Sequence, residues 1–286
     1  MTKVLITGAT GMLGQYALAA AKAEGYDIIT FGRPQNDLNN IETIAPFIAQ
    51  IKPSIVLHLA AQTDVDLCER DPALAARINV LATREVAKAT TMVGGWLGYV
   101  STSNVFGAKE QTVYNELDLP DPVNYYGRSK FWGEQMVIQY APHNHLIVRA
   151  GWMIGGGASK DHKFVGKIIA QIRNGASQIL AVDDKQGSIT AAENLARFLL
   201  ASAKRGRIGL FHFASKGTVT RFQIACEIAK SLGYSGVVRG VRSNIFPLSA
   251  PRATSEGIES IFLSDAAEDI YIGSWNEDLQ KYISQF

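Results

Sequence analysis

The apolar run Val4-Leu5-Ile6 leads directly into Thr7-Gly8-Ala9-Thr10-Gly11-Met12-Leu13-Gly14, and residues 12–24 then follow a helical pattern. Three glycines spaced three apart, between a strand and a helix at the very start of a chain, leave few folds open. Glycine lets the backbone turn sharply and lets a bulky group come close to it. The helix N-terminus behind it offers unpaired N–H groups and the positive end of a dipole, which suits a pyrophosphate. A plain tight turn is the alternative. The position directly after the first strand favours a dinucleotide site.

The rest of the first half keeps the same rhythm. Strand-like runs at 27–31, 55–59, 97–101 and 145–150 alternate with helical patterns at 41–52, 71–89 and 126–140. Strands apolar on both faces belong inside a parallel sheet covered by helices above and below. The expected fold class is therefore α/β, a doubly wound parallel sheet with a second, smaller substrate lobe. After residue 149 the rhythm loosens: a polar, glycine-rich stretch follows, then helices at 164–173, 191–203 and 221–232, a strand at 210–214 and a final helix at 278–284. The expected division is 1–151 with 188–214 for the nucleotide-binding domain, and 152–187 with 215–286 for the lobe, whose stretch after 233 is read as lacking α/β alternation.

Composition narrows the function classes. At 286 residues, 47% hydrophobic and 19% charged, the chain has enough apolar matter for a full core. A formal charge of +2 gives no general pull toward nucleic acid or an anionic membrane, so neither is an expected partner. No apolar run is long enough to span a bilayer, no signal-peptide pattern opens the chain, and only Cys68 and Cys226 occur, so a reducing, cytoplasmic setting is expected. None of the five histidines has metal-ligand spacing, so no metal is expected. His58, inside an apolar strand, reads as a hydrogen-bonded core residue, and Trp152 and Trp275 read first as packing residues.

Two further stretches bear on the nucleotide. The second strand ends Thr30-Phe31-Gly32-Arg33. An acidic residue there would bind a ribose 2′-hydroxyl; an arginine fork suits a 2′-phosphate instead, so Arg33 points to NADP(H), with a surface arginine as the alternative. Asp37 reads by itself as a turn or N-cap residue before the helix at 41. Ala60 and Ala61, ahead of Gln62 at the third strand's end, are small enough to let a diphosphate and ribose pass.

The chemistry-bearing motif is Tyr126-Gly127-Arg128-Ser129-Lys130. Residues four apart share one helix face, so the phenol and the ammonium reach one site, where the cation would draw the phenol's pKa down from about 10. Ser101-Thr102-Ser103 at the fourth strand's end supply hydroxyls that can hydrogen-bond a carbonyl. Asn79 is either a supporting polar group or a residue of a solvated helix face.

The T-G-x-x-G-x-x-G spacing, Ala60-Ala61 and Y-x-x-x-K resemble the extended short-chain dehydrogenase/reductases, which are built on the Rossmann fold. Ala61-Gln62-Thr63-Asp64-Val65-Asp66, Ser101-Thr102 with Val105-Phe106, Val148-Arg149-Ala150-Gly151-Trp152, residues 184–190 and Gly209-Leu210-Phe211-His212 are similar to the dTDP-4-dehydrorhamnose reductase family nearly end to end. The resemblance implies hydride transfer from NADP(H), or from NAD(H), to C4 of a nucleotide-linked 6-deoxy keto-sugar. It implies Thr102, Tyr126 and Lys130 as catalytic residues. Cofactor contacts are implied at Gly8, Gly11, Met12, Leu13, Arg33, Asp37, Leu38, Ala60, Ala61 and Gln62, with Tyr126 and Lys130 contributing. A homodimer is compatible with it. Ser103-Asn104 stand where the family usually has Asp-Tyr, Ile189 where it has proline, and Ala250-Pro251 where it has Arg-Pro; all three departures are expected on the sugar-nucleotide side. A nucleotide-sugar 4-epimerase and a non-catalytic NADP-binding regulatory subunit, like that of methionine adenosyltransferase, are the competing expectations.

Overall fold

The computed structural model describes every residue except Glu110 and 264–269. Its centre is a six-stranded, wholly parallel sheet. Strands β1 (Lys3–Thr7), β2 (Asp27–Phe31), β3 (Ile55–His58) and β4 (Trp96–Thr102) are joined by His145–Ala150 and Gly209–Phe213. The spatial order runs Gly209–Phe213, His145–Ala150, β4, β3, β1, β2.

Side chains alternate between the sheet's two faces, and both faces are dry. Val4, Ile6, Ile55, Leu57, Leu146 and Val148 pack against helices Met12–Ala23 and Ala192–Lys204. Leu5, Val56, Leu97, Tyr99 and Ile147 pack against Ile44–Ile51, Ala82–Met92 and Tyr125–Tyr140. That double burial is why the strands are continuous apolar runs rather than alternating ones. The strand order reverses between β1 and β3, and the glycine turn and Ala60-Ala61 flank that crevice, where open α/β sheets hold their ligands.

One expected helix is not continuous. Residues 65–92 form Val65–Arg70 and Pro72–Ala76, then a π-turn at Arg77–Leu81, then Ala82–Met92. Asp64 and Asp71 cap the first two pieces, accepting from the N–H groups of Leu67 and Leu74. The wide turn carries Asn79 inward, where it is fully buried. The solvated-face alternative for Asn79 is therefore corrected.

A third core gathers Ile154, Val165, Ile168, Ile179, Ile224, Ile228, Leu279 and Ile283 beneath helices Phe164–Arg173, Arg221–Ser231 and Trp275–Ile283. One strand of a parallel pair, Val237–Val241, falls in the stretch after 233 that was expected to lack α/β alternation. Gln178–Val182 and Val237–Val241 form a parallel pair, with helix Arg221–Ser231 between them in sequence. Leu180 faces outward at 42% exposure, so the strand Gln178–Val182 shows no clean polar–apolar alternation to read. Ser255–Ile258 pairs with Val113–Tyr114 and with Gln186–Gly187, stitching the C-terminal region across to the first half of the chain.

Candidate active site

A cleft of about 1250 Å³ runs from the glycine turn to the third core. All the predicted site residues line it: Gly8, Gly11, Met12, Leu13, Arg33, Asp37, Leu38, Ala60, Ala61, Gln62, Thr102, Tyr126 and Lys130. At the nucleotide end Gly8 has φ +70°, and a Cβ there would stand 2.8 Å from Ala60 N, so the turn tolerates nothing larger. Gly11 differs. It has φ −76°, and an added Cβ would meet only Gly8 O, at 3.2 Å. The protein itself leaves room at Gly11, on the cleft side of a helix N-terminus, and that room fits a pyrophosphate. Arg33 is exposed and among the described residues makes no hydrogen bond or ion pair, so its fork is available to an anion. Asp37 accepts from Asn39 N at 2.9 Å, which makes it a turn residue that also borders the cleft.

Asn124 sets the start of the helix that bears Tyr126. Its side chain accepts from Gly127 N at 2.8 Å and donates to Pro251 O at 3.1 Å. Gly127 lets this helix press onto the loop after β4: a Cβ would lie 2.0 Å from Asn104 O. Asn79 ties the other side. Its Nδ2 donates to Gln62 O and to Ser129 Oγ, its Oδ1 accepts from Gln62 N, and Ser129 Oγ donates to Tyr126 O. The loop carrying Ala60-Ala61-Gln62 and the turn carrying Tyr126 are thus locked to one buried amide. His58 is buried between Thr7 and Thr83, and burial, with the Lys130 charge adding to it, holds its pKa down at about 3, so it stays neutral.

Burial acts in opposite directions on the two motif residues. It raises Tyr126 to about 12, with hydrogen bonding from Thr102 pulling the other way. It lowers Lys130 to about 7, with the Glu134 carboxylate opposing. The expected drawing-down of the phenol by the ammonium is corrected: Lys130 Nζ lies 4.1 Å from the centroid of the Tyr99 ring, and desolvation dominates the phenol. A phenol that holds its proton at neutral pH is suited to donating it. Glu134 is itself engaged by Arg149 through two short hydrogen bonds, at 2.9 and 2.7 Å.

The far wall was not legible from the motifs. Trp152, Lys163, Lys185, Arg221, Arg252 and Glu256 line it. Arg221 stands at the start of its helix with its guanidinium 3.9 Å from the Trp152 ring centroid. Burial lowers its pKa, but only to about 10, so it remains charged. Trp152 is thus part of the cleft wall rather than a packing residue alone.

The RmlD substrate binding domain family matches residues 1–286. The chain belongs to this family. The dTDP-4-dehydrorhamnose reductase of Mycobacterium tuberculosis is 35% identical over 264 residues, covering 90% of this chain and 85% of that one. The crystal structure of the dTDP-4-dehydrorhamnose reductase from Yersinia enterocolitica superposes with a TM-score of 0.97 at 51% identity, over 100% of both chains. That of the Bacillus anthracis enzyme, solved in complex with NADP, gives 0.91 at 30% identity over 100% of both. In this RmlD-family chain the three departures from the family pattern fall as follows. Asn104 lines the cleft, Ile189 is buried in the third core, and Ala250 N donates to Asp66 Oδ1 at 2.9 Å.

Proposed function

We propose that this chain reduces the C4 keto group of dTDP-4-dehydrorhamnose with NADPH. The observation that carries this is the convergence of Thr102, Tyr126 and Lys130 on the same cleft as the glycine turn and Arg33, in a chain of this family. The bound cofactor supplies the hydride. Tyr126 gives the phenolic proton to the C4 oxygen, and the Thr102 hydroxyl hydrogen-bonds that oxygen as charge builds on it. Lys130 as ammonium holds positive charge beside the site. Lys163, Arg221, Lys185 and Arg252 suit the substrate's diphosphate. The test is NADPH consumption with dTDP-4-dehydrorhamnose; a folded, NADPH-binding protein that leaves this substrate untouched sinks the proposal. Neither the 4-epimerase nor the regulatory subunit is favoured by the relatives.

The division into 1–151 with 188–214 and 152–187 with 215–286 is part of the same proposal. Every fully buried member of the third core but Ile189 falls in the second group, which supports it. We infer a cytoplasmic setting, in keeping with free Cys68 and Cys226; among the described residues no helix is long and apolar enough to cross a membrane.

Arg33 is expected to set a preference for NADPH over NADH. A charge-assisted hydrogen bond is worth about 1.5–3 kcal/mol, or roughly 10- to 150-fold, and the exposure of Arg33 puts the effect near 10-fold. Arg33→Asp should invert the order, because it replaces attraction with repulsion of the 2′-phosphate. kcat/KM for both cofactors at one ionic strength measures it; an order unchanged in the variant means that another residue reads the ribose.

The pH profile follows from Lys130. Its pKa in the folded protein is lowered to about 7, so the ammonium is present below pH 7 and is lost above it. kcat/KM for NADPH reports groups of the free enzyme, and it should fall about tenfold per unit above pH 7. Lys130→Arg, which stays charged, should flatten that limb; a flat wild-type profile across this range would show that the ammonium is not required.

A further inference from the structure

Glu256 sits on strand Ser255–Ile258, is 7% exposed and lines the cleft. Its Oε2 accepts two hydrogen bonds, from Asn104 Nδ2 at 2.8 Å and from Trp152 Nε1 at 2.9 Å. Its Oε1 accepts none among the described residues, and no cation forms an ion pair with it. Arg221 lies close enough to feel its charge, but the guanidinium is stacked over the rings of Trp152 and Phe164. Burial is the largest influence on this carboxyl and raises its pKa, while Trp152, Arg221, Arg252 and Asn104 pull it back. A largely buried carboxylate with one oxygen clamped and the other unpaired and open to the cleft presents a charged acceptor to a donor that enters it.

The chemistry of that donor is restricted. A diphosphate offers only acceptors and negative charge, so a carboxylate repels it. A sugar hydroxyl is a donor. Glu256 also lies near enough to Tyr126 for its charge to raise the phenol's pKa, which places it at the sugar end rather than the base end of a nucleotide-sugar whose C4 oxygen meets Tyr126. The ring carbon next to C4 that bears a hydroxyl in such a sugar is C3. Asn104, which orients Glu256, is one of the residues at which this chain departs from the family pattern.

We propose that Glu256, held by Asn104 and Trp152, is a specificity-determining residue whose Oε1 accepts a hydrogen bond from the sugar hydroxyl beside the reacting carbon. This deepens the reading of the cleft as a nucleotide-sugar reductase site and rests on it. A hydrogen bond to a charged acceptor changes affinity by roughly 10- to 150-fold.

The experiment is calorimetric titration of wild type and Glu256→Gln, both saturated with NADP+, using dTDP-rhamnose and dTDP as separate probes. Gln keeps the volume of the side chain but presents no anionic acceptor. The expected result is a loss of about 10-fold or more for dTDP-rhamnose, with affinity for dTDP and for NADP+ unchanged. Unchanged affinity for dTDP-rhamnose overturns the proposal, and so does an equal loss for both probes, which marks a general collapse of the wall. Turnover of dTDP-4-dehydrorhamnose by the wild type is measured beside it. If that turnover is absent, the reductase reading fails, while the two-probe comparison still decides whether Glu256 contacts the sugar.

Discussion

Tyr126→Phe should lower kcat by about 10²- to 10⁴-fold, the range that a positioned general acid contributes, while the dissociation constant for NADPH stays within about twofold of wild type. The hydroxyl is the only group removed. The ring keeps its place in the first turn of helix Tyr125–Tyr140, where Asn124 caps the end and Ser129 Oγ bonds the Tyr126 carbonyl. No backbone contact depends on the phenolic oxygen, so stability should change by no more than the roughly 1 kcal/mol of a single hydrogen bond. Transient kinetics with dTDP-4-dehydrorhamnose, together with NADPH fluorescence titration, separates the chemical step from binding. A variant that kept most of the wild-type turnover would remove Tyr126 as proton donor and shift attention to Thr102, its hydrogen-bonding neighbour.

Gly11→Val should abolish measurable NADPH binding and leave a folded protein. The backbone at Gly11, φ −76° and ψ 176°, is open to any L-residue. The nearest atom to an added Cβ is Gly8 O at 3.2 Å, a contact that a few tenths of an ångström relieve. The branched methyl groups then stand in the cleft at the helix N-terminus, over the N–H groups that a pyrophosphate needs. Losing one charge-assisted hydrogen bond costs about 1.5–3 kcal/mol, and the steric displacement of the ligand adds to it, so a loss of at least about 100-fold is expected. Calorimetric titration measures the affinity, and thermal unfolding checks the fold. Full affinity in a folded Gly11→Val protein would place the pyrophosphate elsewhere. Gly8 would be the wrong position for this experiment, because a side chain there strikes Ala60 and a failure could not be assigned to binding.

The two ends of the cleft were legible in the sequence to different degrees. The glycine turn, Ala60-Ala61-Gln62 and Y-x-x-x-K are local motifs: each places its groups by the geometry of one turn or one helix, so spacing alone identifies them, and Gly8, Gly11, Gly14, Ala60, Ala61, Gln62, Tyr126 and Lys130 line the cleft. The protonation of Tyr126 and Lys130 was not legible. Spacing says that the two face the same way, but whether charge or burial governs each depends on what surrounds them, and here burial outweighs the pairing for both. Asn79 was ambiguous for a similar reason. A polar residue in a helical run points inward only because a π-turn rotates it there, and a single extra residue per turn leaves no compositional mark.

The alternation of apolar runs with helical periods by itself determined the six-stranded parallel core and its nucleotide end, because double burial and backbone sterics act within a few residues of each motif. Only the tertiary structure decided the far wall. Glu256, Asn104, Trp152 and Arg221 come from four separated segments. They meet because strand Ser255–Ile258 crosses to Gln186–Gly187 and Val113–Tyr114. No local periodicity encodes that long-range pairing. A carboxylate with one oxygen clamped and one free toward the cleft is a property of the assembled wall, where desolvation and distant hydrogen bonds act together on a residue whose sequence neighbours give no sign of it.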